Sequence, residues 1–216
     1  MRLLLSFGAV LWLSVVAAGI LHLARYENTP AAGNLSYPTV FPSESRIGRD
    51  ARRATLVFFA HPKCPCTRAS LRELARLVTD TGGSLQAIVV FIKPKGESEQ
   101  WTETDLRANA AAIPNVRVLI DEDERETRIF GAQTSGLALV YDRAGNLRFG
   151  GGITASRGHE GDNAGSRAIF EIITGERKEE EVEEEEGLNK TAETAVFGCP
   201  LHKKDCHDGE LMEKTQ

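Results

Sequence analysis

Basic excess is missing from this sequence: Lys and Arg total 26 against 31 Asp and Glu, a formal charge of −5. That balance offers no electrostatic footprint for nucleic-acid phosphates, so no nucleic-acid partner is expected. Cysteine is scarce too, and four in 216 residues cannot build a small disulfide scaffold. No phosphate-loop spacing occurs: Gly150-Gly151-Gly152 has no Lys-Ser or Lys-Thr after it, and no nucleotide is expected. Internal repeats are absent. What is present is 41 % apolar and 26 % charged side chains, ordinary globular usage that excludes disorder throughout. The length suits one domain of about 150 residues with flanking segments.

Leu3 to Leu23 carries no formal charge, and at about 1.5 Å per residue it spans roughly 30 Å as a helix. Residues 1–25 therefore read as a single-pass transmembrane anchor. The competing reading is a cleaved signal peptide, because Arg2 makes a short basic start and Ala17-Ala18-Gly19 offers small residues. The anchor is favoured by the length of the apolar run, with the bulk of the chain on the periplasmic or extracytoplasmic side of the cell membrane. Residues 26–50, with Pro30, Pro38 and Pro42 and no sustained period, read as a tether.

From Thr55 the pattern changes to short apolar runs separated by amphipathic stretches. A strand Thr55 to Ala60, a helix from about Cys66 to Thr79 and a strand Leu85 to Ile92 make a βαβ unit. Leu71, Leu74, Ala75 and Val78 give the first helix its sheet-facing stripe. A second helix from about Thr102, closed by Pro114, precedes a strand Val116 to Ile120. Then come a short helix Glu124 to Phe130, a hairpin of Leu137 to Tyr141 and Leu147 to Phe149, and a helix from about Asn163 to Thr174. The order βαβ-αβ-αββα predicts an α/β domain over 51–176, a central mixed sheet with helices on both faces. Residues 177–190 are an acidic linker in which like charges repel. The tail 191–216 carries an apolar island, Val196 to Leu201, with Cys199, His202, Cys206 and His207.

The first strand runs into His61-Pro62-Lys63-Cys64-Pro65-Cys66-Thr67-Arg68. Proline is favoured at the first helical position, which makes Pro65 that residue, Cys64 the N-cap and Cys66 the second helical residue. Both sulfurs then sit at the positive end of a helix, where a thiolate is stabilised and its pKa drawn below about 8.5. Lys63 and Arg68 act the same way. Two thiols interleaved with Pro62 and Pro65 at a helix start point to chemistry rather than packing.

With these residues the chain resembles the thioredoxin-like superfamily, and in particular membrane-tethered TlpA-type thiol-disulfide proteins, over about residues 50–175. The combined pattern HPKCPCTRAS, GGITASRGHEGDNAG and VFGCPL is also similar to the bacterial proteins labelled RedB. The resemblance implies a thioredoxin-like fold and a redox-active disulfide with no further cofactor. It also shows departures. Alignment puts Lys63 where the family has its first cysteine and Cys66 at the second, with Cys64 as the replacement nucleophile. Thr134-Ser135-Gly136 stands where the family has a cis-proline.

Two functions are weighed. In the first, an oxidoreductase acting on another protein's thiols or disulfide, Cys64 attacks and Cys66 or Cys199 resolves. Arg157 and His159, in the polar loop after the hairpin, reach over Cys64 to favour its thiolate and relay a proton. The alternative for that loop is a plain connection in which Asp162 or Asn163 caps the last helix. In the second function, a copper-binding chaperone-like module holds metal through His61, Cys64 and Cys66, with Cys199, His202, Cys206 and His207 as further donors.

Overall fold

The computed structural model describes residues 2–31, 36–175 and 191–202. Six strands form one sheet in the order β3-β2-β1-β4-β5-β6. β1 (Ala54–Ala60), β2 (Leu85–Lys93) and β3 (Val116–Glu122) run parallel to one another, whereas β4 (Leu137–Tyr141) is antiparallel to β1 and to β5 (Leu147–Gly152). The sixth strand comes from the tail: β6 (Ala192–Glu193) lies parallel to β5.

β1 and β2 are apolar along nearly their whole length because the sheet is covered on both sides. Alternation divides their side chains between two cores. Leu56, Phe58 and Ala60 join Leu71, Leu74 and Leu77 of α2 (Thr67–Asp80) and Ile169 of α5 (Ala164–Thr174) on one face. Val57 and Phe59 join Trp101, Phe130, Val196 and Leu201 on the other. α3 (Asp105–Ala111) begins at Thr104, whose hydroxyl accepts from the Arg107 N–H, after a separate 3₁₀ turn Glu99–Thr102; the single helix expected from Thr102 is thus split. α4 (Arg125–Ile129) is a short helix whose first N–H groups, those of Glu126 and Thr127, donate to the buried Asp121 carboxylate.

One segment behaves differently from its sequence reading. Residues 36–50, expected as a tether, cover the second face. Phe41 packs edge-on against Phe130 and Tyr141 at 5.4 and 5.1 Å, Ile47 is buried, and Val40 bridges Asn146. The tail past the acidic linker returns as an integral piece of the domain. The linker at 177–190, together with Cys206 and His207, lies outside the described residues.

α1 (Arg2–Asn28) is a single helix whose described side chains are exposed; its stretch Ser6–Asn28 is long and apolar enough to cross a membrane, as a signal sequence also is.

Candidate functional site: a three-thiol cluster at the end of β1

β1 ends at Ala60, and the chain turns through His61 to Cys66 before α2. Hydrogen bonds from Cys64 N to His61 O (3.1 Å), Thr67 N to Cys64 O (3.1 Å) and Arg68 N to Pro65 O (3.3 Å) wind this turn into the helix. Cys66 is consequently the N-cap, with helical dihedrals and no side-chain cap bond, and Pro65 stands before the helix rather than at its first position. The winding starts at His61 because two partners hold that residue. Its N–H donates to Ser135 Oγ at 2.9 Å, and its Nδ1 accepts from the Lys63 N–H at 3.1 Å. The His61 ring meets Trp101 edge-on at 5.2 Å, and Lys63 Nζ sits 4.9 Å above the same indole.

The tail brings a third sulfur to this turn. Cys199 Sγ lies 2.9 Å from Cys64 Sγ, inside the contact distance of two unbonded sulfurs, and both residues are thiols, as is Cys66. Cys64 is fully buried, whereas Cys66 and Cys199 are half-buried. Cys66 is coupled by hydrogen bonds to Cys199 and, less strongly, to Cys64. Those bonds, with partial burial and the neighbouring sulfur charges, push its thiol well above the ordinary range. Helix-end stabilisation of a thiolate, expected for both cysteines of the turn, is therefore overridden at Cys66. There the thiol keeps its proton.

Strand pairing sets Cys199 in place. Thr134 and Pro200 form an antiparallel bridge, Ser135 N donates to Cys199 O at 2.8 Å, and Leu201 N donates to Gln133 O at 2.9 Å. The loop before β4 that offers this edge has no cis peptide; Gly136 at φ +98° makes the turn and donates to Phe59 O at 2.8 Å. Ser135 thus connects both halves of the site, since its hydroxyl accepts from His61 N and is 2.8 Å from Thr67 Oγ1 while its N–H holds the tail.

The structure places Cys64 and Cys199 in contact, with Cys66 beside them. The sequence-based placement of the polar loop after β5 needs correction. Arg157 does not stand over Cys64 as a thiolate partner. Its Nη1 donates to Gly198 O at 2.6 Å, its guanidinium lies 5.0 Å over the Tyr26 ring, and its backbone N–H donates to Glu27 O at 3.0 Å. Arg157 is therefore a clamp joining the tail to the end of α1. His159 is exposed, and no hydrogen bond or ion pair ties its ring to a sulfur among the described residues. Asn163 caps α5, its Oδ1 accepting from Ser166 N at 2.8 Å. Among the proposed metal donors, His61 has Nδ1 engaged with the backbone and His202 is 3.3 Å from the Glu124 carboxylate. No group of three His, Cys, Asp or Glu with the geometry to hold a metal occurs among the described residues. A groove between α2 and α5, lined by Glu73, Arg76, Asn163 and Phe170, contains no cysteine and is not the reacting centre.

Ser135, Gly198 and Tyr26 were missed. Gly198 had a readable signal in its place next to Cys199 on the apolar island; Ser135 and Tyr26 act through contacts that no local pattern announces.

No protein-family model and no curated protein matches this chain. Among solved structures, an uncharacterized conserved protein from Geobacillus kaustophilus is similar, at 18 % identity and TM-score 0.52, covering 81 % of this chain and 93 % of its own. A secreted disulfide oxidoreductase of Mycobacterium tuberculosis described as homologous to E. coli DsbE has 11 % identity and TM-score 0.36, over 44 % of this chain and 66 % of its own. StoA of Bacillus subtilis has 13 % identity and TM-score 0.38, over 54 % and 87 %. The order β3-β2-β1-β4-β5, its parallel and antiparallel halves and the cysteine turn at the end of β1 make the fold thioredoxin-like, after one apolar N-terminal helix.

Proposed function

We propose that this chain is a thiol-disulfide oxidoreductase in which Cys64 and Cys199 are the exchanging pair and Cys66 is the proton-holding third thiol. The observation that carries the reading is the 2.9 Å approach of Cys64 Sγ to Cys199 Sγ, with the Cys66 thiol beside them. In the reduced chain the Cys64 thiolate attacks one sulfur of a partner protein's disulfide. A mixed disulfide forms, and the partner's other sulfur leaves as a thiolate. Cys199 then attacks Cys64 Sγ, so that the partner's first sulfur departs as a second thiolate and the chain keeps a Cys64–Cys199 disulfide. Two electrons pass from the chain to the partner. The reverse sequence oxidises a dithiol. The Cys66 S–H stabilises whichever neighbouring sulfur is anionic.

The apolar length of α1 supports single-pass anchoring; a domain outside the cytoplasm is part of the proposal. Because Arg157 ties Gly198 to Tyr26 and Glu27, the exchange centre then stands close to the membrane surface.

Single-turnover reaction of the full chain with glutathione disulfide tests the assignment. Cys64→Ser is expected to abolish the internal disulfide, and Cys199→Ser to accumulate a Cys64-glutathione adduct at least about tenfold longer than the natural chain. Resolution by Cys199→Ser at the natural rate would transfer the resolving role to Cys66. Protection of the three thiols from alkylation only when Cu(I) is added would instead favour the copper-site reading, for which no three-ligand group stands among the described residues.

A further inference from the structure

The backbone edge at residues 133–135, beside Cys64, is occupied by the chain's own tail. Resting on the exchange reading above, we infer that Val196–Leu201 is an internal stand-in for the substrate, and that the substrate is an extended segment of the pattern apolar-x-Gly-Cys-x-apolar.

Each position of that pattern follows from a contact. The tail joins residues 133–135 as an antiparallel strand through the Ser135 N to Cys199 O and Leu201 N to Gln133 O bonds. Main-chain pairing of this kind supplies affinity without regard to sequence, and specificity comes from the side-chain positions. Immediately before the cysteine only glycine fits. A Cβ on Gly198 would stand 1.8 Å from Ser135 O and 2.9 Å from Ser135 C, and that backbone cannot move away while its N–H holds Cys199 and its hydroxyl holds His61. Three residues before the cysteine, Val196 is buried; two residues after it, Leu201 is fully buried, both in the core on the second face of the sheet. Burial of these two apolar side chains helps to seat the segment. The position after the cysteine is permissive. Pro200 is exposed and faces Thr134 across a non-hydrogen-bonded pair, so its missing N–H forfeits nothing.

The occupant is also held so that it can be exchanged. Its bonds to the edge number few, one of its clamps is Arg157 on Gly198 O, and Arg157 Nε is buried with no partner among the described residues, a desolvation cost that the docked state carries. A partner presenting the same pattern makes the same strand bonds and fills the same two apolar positions. When it displaces the tail, its cysteine sulfur meets Cys64 where Cys199 stood. Cys64 attacks that sulfur, the partner's other sulfur leaves as thiolate, and return of the tail lets Cys199 release the partner.

The test uses the full chain with Gly198→Ala and Cys199→Ser together, which crowds the tail off the edge and removes its thiol. The probe is the peptide Ala-Val-Phe-Gly-Cys-Pro-Leu-His with its cysteine in a mixed disulfide to glutathione, beside the same peptide with alanine in place of glycine. Attack by Cys64 on the peptide sulfur forms the protein–peptide disulfide and releases one glutathione thiolate, both measurable by mass. The glycine peptide is expected to react at least about tenfold faster than the alanine peptide, the rate equivalent of about 1.4 kcal/mol. Equal peptide rates, with Cys64 still reacting with glutathione disulfide, overturn the pattern and leave the exchange reading standing. Failure of Cys64 to react with glutathione disulfide overturns the exchange reading itself. Cys199→Ser alone, which keeps the natural glycine, is the second host should the double variant misfold. There the tail competes, and the same glycine-to-alanine ratio is expected at lower absolute rates.

Discussion

Cys66 shows how one side chain's chemistry depends on neighbours far off in sequence. From the turn alone, a cysteine at a helix start is expected to ionise readily. With Cys199 and Cys64 beside it, its proton is retained. Two outcomes follow for the reduced chain. Alkylation of Cys66 should stay slow as pH rises through about 8.5, where an ordinary thiol accelerates. Stability should also fall with pH above that value, since the unfolded chain releases a proton that the folded chain keeps. Cys66→Ser should flatten that alkaline decline in thermal unfolding. Labelling of Cys66 in the folded chain at the rate of the urea-unfolded chain would contradict the assignment. Arg157 teaches the same point in reverse. Its presence in a polar loop near the cysteines was legible, but its partner was not, because Gly198 lies 41 residues away and reaches it only once the tail has docked.

Among the elements, the parallel strands and α2 were legible because their periods are regular and their apolar residues face a core on each side of the sheet. β5 ran further than expected. Gly150, Gly151 and Gly152 read as the start of a loop, yet they continue the strand, and their bare Cα atoms let the tail lie directly against them. A Cβ on Gly151 would stand 2.2 Å from Thr194 Oγ1 and 2.6 Å from Thr194 O, and one on Gly152 would meet Ala195 O at 2.5 Å. The triple glycine was thus the sequence's own mark of a close backbone approach. The approaching segment had no strand pattern to identify it. Gly151→Ala should displace β6 and the residues leading to Cys199 at a cost of about 1–3 kcal/mol to docking. Iodoacetamide should then label Cys199 about tenfold faster, with the unfolding transition of the sheet still cooperative. Unchanged Cys199 labelling in a folded variant would mean that the glycines do not govern the tail.

At the scale of the whole molecule, both flanks of the domain converge on one end of the sheet. The segment after α1 and the tail meet there, since Ala31 N donates to Val196 O at 2.9 Å and Arg157 bridges Glu27 and Gly198. Sequence reading divided the chain into anchor, tether, domain, linker and tail, and the regular elements of the α/β portion were visible in their apolar periods. The packing of residues 36–50 was not, because that irregular segment buries Ile47 at a spacing set by the sheet it covers rather than by any period of its own, whereas the apolar island of the tail marked it for docking but not for the strand edge it pairs with. The consequence is a thiol centre assembled from opposite ends of the described domain. The most direct measurement is a redox titration of the full chain in graded glutathione buffers, followed by alkylation and mass mapping of each cysteine. Cys64 and Cys199 are predicted to become protected together as one reversible disulfide, with Cys66 alkylated only after unfolding. A Cys64–Cys66 disulfide with Cys199 alkylated throughout would contradict the account.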